Sequence, residues 1–148
     1  MLTNNWRMML SKVFSKTQQF RTWDGNFSTS IPNSYGFNRR FYIGTGTTAP
    51  KQTDYKIETA ISEDDYISSA EIVCDTGDGS FLKESGLHVS GTITNTSTKP
   101  LEISEIGFSA ATHNTNKEDV RYLLAREVFD TPITISPGGV QAFSLKLF

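Results

Sequence analysis

The chain has 148 residues, the size of one ordinary domain and enough to bury a core without disulfide or metal staples. Only 36% of it is hydrophobic and 20% charged, yet 11% is aromatic and the net charge is -2, which separates it from disordered chains with few aromatics and high net charge. No basic run is present and the densest cationic cluster is the pair Arg39-Arg40, so the electrostatic footprint of a nucleic-acid binder is missing.

The first segment is the only one with helical spacing. Trp6, Met9, Leu10, Val13 and Phe14 recur on one face, with Arg7, Ser11, Lys12 and Ser15 facing away and Thr3 or Asn4 as N-cap. Such a helix packs on its own domain, docks into a neighbouring subunit, or lies on a membrane surface; the last needs more cations than Arg7, Lys12 and Lys16 supply. From Gln18 to Asn38 the aromatics Phe20, Trp23, Phe27, Tyr35 and Phe37 follow no period and sit among Gly, Pro, Asn and Ser. That pattern predicts an extended segment laid over another surface.

The period then becomes two. Phe41 and Ile43 alternate with Arg40 and Tyr42, and Leu87, Val89 and Ile93 share a face opposite Thr92 and Thr94. Leu101 and Ile103 are out of phase with Ile106 and Phe108, which predicts a β-bulge near Ser104-Glu105. Val120 to Val128 alternates again, Ile133 and Ile135 form a short strand, and Phe143, Leu145 and Leu147 form the last. Turns are written at Gly77-Asp78-Gly79, Asn95 to Pro100 and Pro137-Gly138-Gly139. About seven or eight strands without intervening helices predict an antiparallel β-sandwich. Arg126 falls in phase with Tyr122, Leu124 and Val128, where an unpaired charge would be costly. Either it pairs with an acid inside, Glu105 beside the bulge being the candidate, or that face meets a partner.

Groups for catalysis are sparse. His88 and His113 have no metal-ligand spacing around them, and no Gly-x-Ser-x-Gly elbow offers a nucleophile. Asp75-Thr76-Gly77 resembles one half of a retroviral-type aspartic protease dyad, but Asp78 replaces the small residue expected next, and a strand running into a turn gives the same letters. The acidic turns Asp75 to Asp78 and Glu63-Asp64-Asp65 depart from calcium-loop spacing. Gly44-Thr45-Gly46-Thr47-Thr48-Ala49-Pro50 looks like a phosphate cradle but lacks the Gly-Lys-Ser/Thr ending and a following helix. The single Cys74, after Ile72-Val73, is expected as a small buried residue. No apolar stretch approaches the ~20 residues of a membrane span, and no basic-then-apolar leader pattern opens the chain, so synthesis in the cytoplasm is expected.

The same loop carries a resemblance. Ile43 to Pro50, followed by Asp54-Tyr55-Lys56-Ile57-Glu58, is similar to a pattern in small structural proteins of tailed bacteriophages, where a glycine–threonine turn precedes an Asp-Tyr-x-Leu-type strand. Gly91 to Ser97, Ile103-Ser104-Glu105-Ile106-Gly107, Leu123 to Val128 and Ile135 to Gly139 continue it in order, and the opening Asn4, Asn5 and Trp6 look similar as well. The resemblance implies a β-sandwich present in many copies in the virion, on the capsid surface, collar or tail, and brings no catalytic residues with it.

The expectation is therefore a mainly β protein. Residues 1–38 form an N-terminal helix and extended docking arm, and residues 39–148 the antiparallel β-sandwich. Trp6, Met9, Leu10, Val13, Phe14, Phe20, Trp23 and Phe27 are the candidate partner-binding residues. The function expected is that of a non-enzymatic virion protein, made in the host cytoplasm. Its partners would be other virion proteins and copies of itself, with no cofactor, nucleic acid or membrane. The alternative is a carbohydrate-binding module that stacks a host-surface glycan on Trp23, Tyr35 and Tyr42.

Overall fold

The structure is a computed structural model that describes residues 1–5, 20–28, 38–75, 86–113 and 119–147. The predicted helix from Trp6 to Phe14, the Gly77-Asp78-Gly79 turn, Tyr35 and the side chains of Cys74, Asp75 and His113 lie outside the described residues.

Alternating stretches become strands, because alternation sends one set of side chains into a core and the other outward. The strands are β1 (Phe20–Arg21), β2 (Phe27–Ser28), β3 (Asn38–Gly44), β4 (Tyr66–Asp75), β5 (Gly86–Asn95), β6 (Leu101–His113), β7 (Asp119–Ile135) and β8 (Val140–Lys146). A 3₁₀ turn, Glu63–Asp65, precedes β4 and is capped by the Ser62 hydroxyl. The protein is mainly β. Two antiparallel three-stranded sheets run in the orders β3-β6-β7 and β4-β5-β8, and β1 pairs with β2 alone.

Both sheets contribute to one core. Phe41, Ile106 and Phe108 from the first sheet join Val89, Ile93, Phe143 and Leu145 from the second. The Phe41 ring meets Phe108 at 6.3 Å and Phe143 at 6.4 Å, both edge-on, the second contact bridging the sheets. Each such side chain, when fully buried, stabilises by about 1.5–3 kcal/mol. Asn95 ties two turns to this frame: its amide donates to Lys99 O at 2.7 Å and its Oδ1 accepts from Ser97 N, while its backbone carbonyl accepts from Gly138 N and its N–H donates to Gly139 O, both at 2.9 Å. The second of those turns, Pro137-Gly138-Gly139, needs glycine because Gly138 has φ +74°.

The register of β6 against β7 shifts twice, between Ile103 and Glu105 and between Phe108 and Ser109. The first shift falls where a bulge is expected, at Ser104-Glu105, but the extra residues are on β7, where Phe129 to Pro132 lie opposite Ser104 alone. It turns Glu105 away from the core that holds Ile103 and Ile106. The second was not expected. Phe108 pairs with Ala125 and Ser109 with Leu123, so Leu124 is the extra residue. Arg126, opposite Gly107, consequently leaves the face of Tyr122 and sits on the other side of the sheet. Ile133 and Ile135 belong to β7 itself rather than to a separate strand, with Pro132 in the stretch that skips the ladder.

The sheet β3-β6-β7 is thus buried on both faces. Its second face carries Tyr42, Glu105, Leu123 and Arg126, all buried. Residues 45–61 cover it, and Ile57 fills the space left by Gly107, whose Cβ would collide with Ile57 and Leu123. The edge of β7 is closed by the first residues: Arg126 N donates to Met1 O at 3.0 Å and Thr3 N to Leu124 O at 2.9 Å. The Asn5 side chain extends this, donating to Arg21 O and accepting from Arg21 N. Residues 1–5 and 21–23 are therefore fastened to the chain's own sheet, and the Thr3 hydroxyl donates to Leu123 O.

Candidate functional site

The second face of β3-β6-β7 holds the densest polar cluster among the described residues. Glu105 has no exposed surface and accepts four hydrogen bonds. Gly46 N (3.0 Å) and Thr59 N (2.8 Å) donate to Oε1, and Glu58 N (3.1 Å) and Arg126 Nε (2.8 Å) to Oε2. The loop that looks like a phosphate cradle does hold an anion, and the anion is the protein's own carboxylate. Glycine is required there because a Cβ on Gly44 or Gly46 would run into Glu105 Oε1.

Arg126, 3% exposed, completes the network. Besides Glu105 it donates through Nη1 to Thr48 O at 3.1 Å and Asp54 Oδ2 at 2.9 Å, and through Nη2 to Glu58 Oε2 at 3.0 Å. Four of its five N–H donors are engaged. Burial works against the guanidinium charge, but the hydrogen bonds and charges of Glu105 and Asp54 outweigh it and hold the pKa above the ordinary arginine value. Glu58 is held below the usual carboxylate range, first by the Thr48 hydroxyl at 2.7 Å, then by Thr48 N at 3.0 Å and the nearby Arg126. Asp54 also accepts from Lys51 N at 2.9 Å.

Chemically this is a clamp. Glu105, Glu58 and Asp54 each accept hydrogen bonds from Arg126 and from backbone N–H groups. No group of three or more His, Cys, Asp or Glu able to hold a metal occurs among the described residues. A cleft of about 420 Å³ opens onto the clamp, lined by Asp54, Glu58 and Arg126 together with Arg21, Lys51 and Lys56, with the Arg21 guanidinium 3.8 Å from the Tyr55 ring.

Of the candidate partner-binding residues, Trp6, Met9, Leu10, Val13 and Phe14 lie outside the described residues. The backbones of Phe20 and Phe27 lie in the β1-β2 ladder, and their side chains are outside the description. Trp23 is described in full. It sits in the tight turn between β1 and β2, where Gly25 has φ +84° and Asp24 accepts from Thr22 and Asn26. Its ring packs on Tyr42 at 4.8 Å, tilted by 59°, with the Arg121 guanidinium 5.7 Å from Trp23 and 5.2 Å from Tyr42. Arg121 also pairs with Glu63 at 2.6 Å. Tyr42 is only 4% exposed, so it offers no stacking platform to a sugar. His88 projects from the face of β5 opposite the core.

Asp54, Glu58 and Thr48 were not anticipated as partners of Arg126. The signal available was the spacing of Asp54 and Glu58 around the buried Ile57, directly after the Gly-Thr-Gly turn. No protein family, curated protein or solved structure matches the chain.

Proposed function

We propose that the chain is a non-enzymatic structural protein of a tailed-phage virion, a β-sandwich carried in many copies on the capsid surface, collar or tail. One observation carries this reading. Four of the stretches through which the sequence resembles such proteins meet in space at a single clamp: the Gly44–Thr48 turn, Asp54 and Glu58 of the next segment, Glu105 of Ile103 to Gly107, and Arg126 of Leu123 to Val128. Asn5, also part of that likeness, fastens the N-terminal residues to β1 and β7. That these stretches hold one another in place supports reading them together as a single fold-specifying set. The four donors on the fully buried Glu105 support a scaffold role for the cluster.

In this reading the docking element is the apolar stripe Trp6, Met9, Leu10, Val13 and Phe14, between the two anchored ends of the arm. Replacing Leu10 and Phe14 by Asp is expected to leave the isolated protein's thermal melt near that of wild type and to abolish its recovery in density-banded particles, measured by quantitative mass spectrometry. Wild-type protein absent from purified particles, or the variant incorporated at the wild-type level, would refute the proposal.

A further inference from the structure

The sheet β4-β5-β8 turns one face to the core and the other outward. The register sets the outer face in rows. Ile67 pairs with Thr94 and Thr94 with Val140; in the next row Ser69 pairs with Thr92 and Thr92 with Ala142. A third row joins Glu71, Ser90 and Ser144, and a fourth joins Val73, His88 and Lys146. Ile67 is 66% exposed and Val140 63%, at the two ends of the first row. Between them the face is flat and small. The Ser69 and Thr92 hydroxyls bond to each other at 3.1 Å, and Thr92 N donates to Ser69 Oγ at 3.3 Å, which lowers the cost of taking them out of water.

We propose that this face is a self-association surface on which two copies stack outer sheet against outer sheet, about a two-fold axis running along β5. The arrangement follows from which residues sit on which edge. A two-fold axis along β5 places β4 of one copy over the partner subunit's β8 at the same height. Ile67 then covers the partner's Val140, Val73 lies over the stem of the partner's Lys146, and Glu71, one row away, comes within reach of the same ammonium, each contact occurring twice, with the two His88 residues side by side on the axis. The small central rows let the sheets approach to about 10 Å. An axis across the strands would instead lay Lys146 over the partner's Val140 and leave Glu71 without a cation, so charge and shape select the first.

The patch is three strands wide and seven residues long, roughly 330 Å² per copy from strand spacing and rise. Both copies together bury well under the ~1,200 Å² of a stable interface, so association in free solution is weak and gains its effect where many copies are held close. The inference does not depend on the virion reading, since it is measured on the isolated chain.

Sedimentation equilibrium of the full chain up to about 1 mM tests it. The wild type is expected to show a monomer–dimer equilibrium. Ala142→Arg, at an exposed site that leaves the melt unchanged, is expected to raise the dissociation constant at least tenfold. Glu71→Lys alone should weaken association similarly, and Glu71→Lys combined with Lys146→Glu should restore it to within about threefold. A wild type that stays monomeric throughout, a dimer indifferent to Ala142→Arg, or a charge swap that restores nothing would each overturn the proposal.

Discussion

Replacing Arg126 by Met removes the one charged donor from Glu105 while roughly keeping the side chain's volume. Glu105 would retain Gly46 N, Thr59 N and Glu58 N, but its charge would be left in a site with no exposed surface. Asp54 and Glu58 are less affected, with side chains 22% and 40% exposed and able to take water instead. The cost is therefore set by Glu105, and breaking one partner out of a buried pair costs about 3–5 kcal/mol. For a domain of this size that corresponds to a fall in melting temperature on the order of 6–20 °C. Glu105→Gln should cost a similar amount for a different reason. All four of its neighbours are donors, so the amide NH₂ must face an N–H wherever it points. Combining the two changes removes both charges, and the double variant should be more stable than the sum of the singles by roughly 0.5–3 kcal/mol. Urea melts of the four proteins measure that coupling. Additivity to within about 0.5 kcal/mol would mean that the two groups do not interact, and the clamp as described would be wrong.

Gly46→Ala places a methyl against Glu105 Oε1 and the Glu58 side chain; because Glu105 is pinned by four donors, the expected loss is about 1–3 kcal/mol, read from the same melts. Glu58 has a folded-state pKa below its ordinary value, so the stability it contributes is present above the usual carboxylate range and is lost as pH falls through the lowered pKa. Between about pH 5 and pH 3 the wild-type melting temperature should accordingly fall more steeply than that of Glu58→Gln, and parallel curves would contradict it.

The legible and illegible parts of this fold divide along physical lines. The register shift at Ser104-Glu105 could be read because Ile103 and Ile106 carry opposite phases, and the acid beside it was the natural partner for a buried Arg126. The bulge at Leu124 could not. Tyr122, Leu123, Leu124 and Ala125 are all apolar, and an unbroken apolar run carries no phase from which an inserted residue could be noticed. Arg126 was for that reason assigned to the wrong face, although its partner was assigned correctly. Pro132 suggested a break in β7, but it falls where the ladder with β6 is already interrupted, so the missing N–H costs no pairing. Asp54 and Glu58 lie outside regular strands; their positions are fixed by hydrogen bonds to Glu105 and Arg126, distant in sequence, and no local pattern reports them.

The clamp also sets an order of events on the ribosome. Its turn at Gly46 is made 80 residues before Arg126, and the Thr48 carbonyl that Arg126 receives is 78 residues upstream. At about 5–20 residues per second, that interval lasts roughly 4–16 s. During it the segment around Ile57 has neither Leu123 nor Arg126 to rest on, and β3 waits for β6 before it has a neighbour in its sheet. Nascent chains are therefore most exposed to premature association while β3 and the residues after it are out and β7 is still being made. A mutation that slows closure of the clamp should show first as poor yield during synthesis, before any loss in the stability of the finished protein.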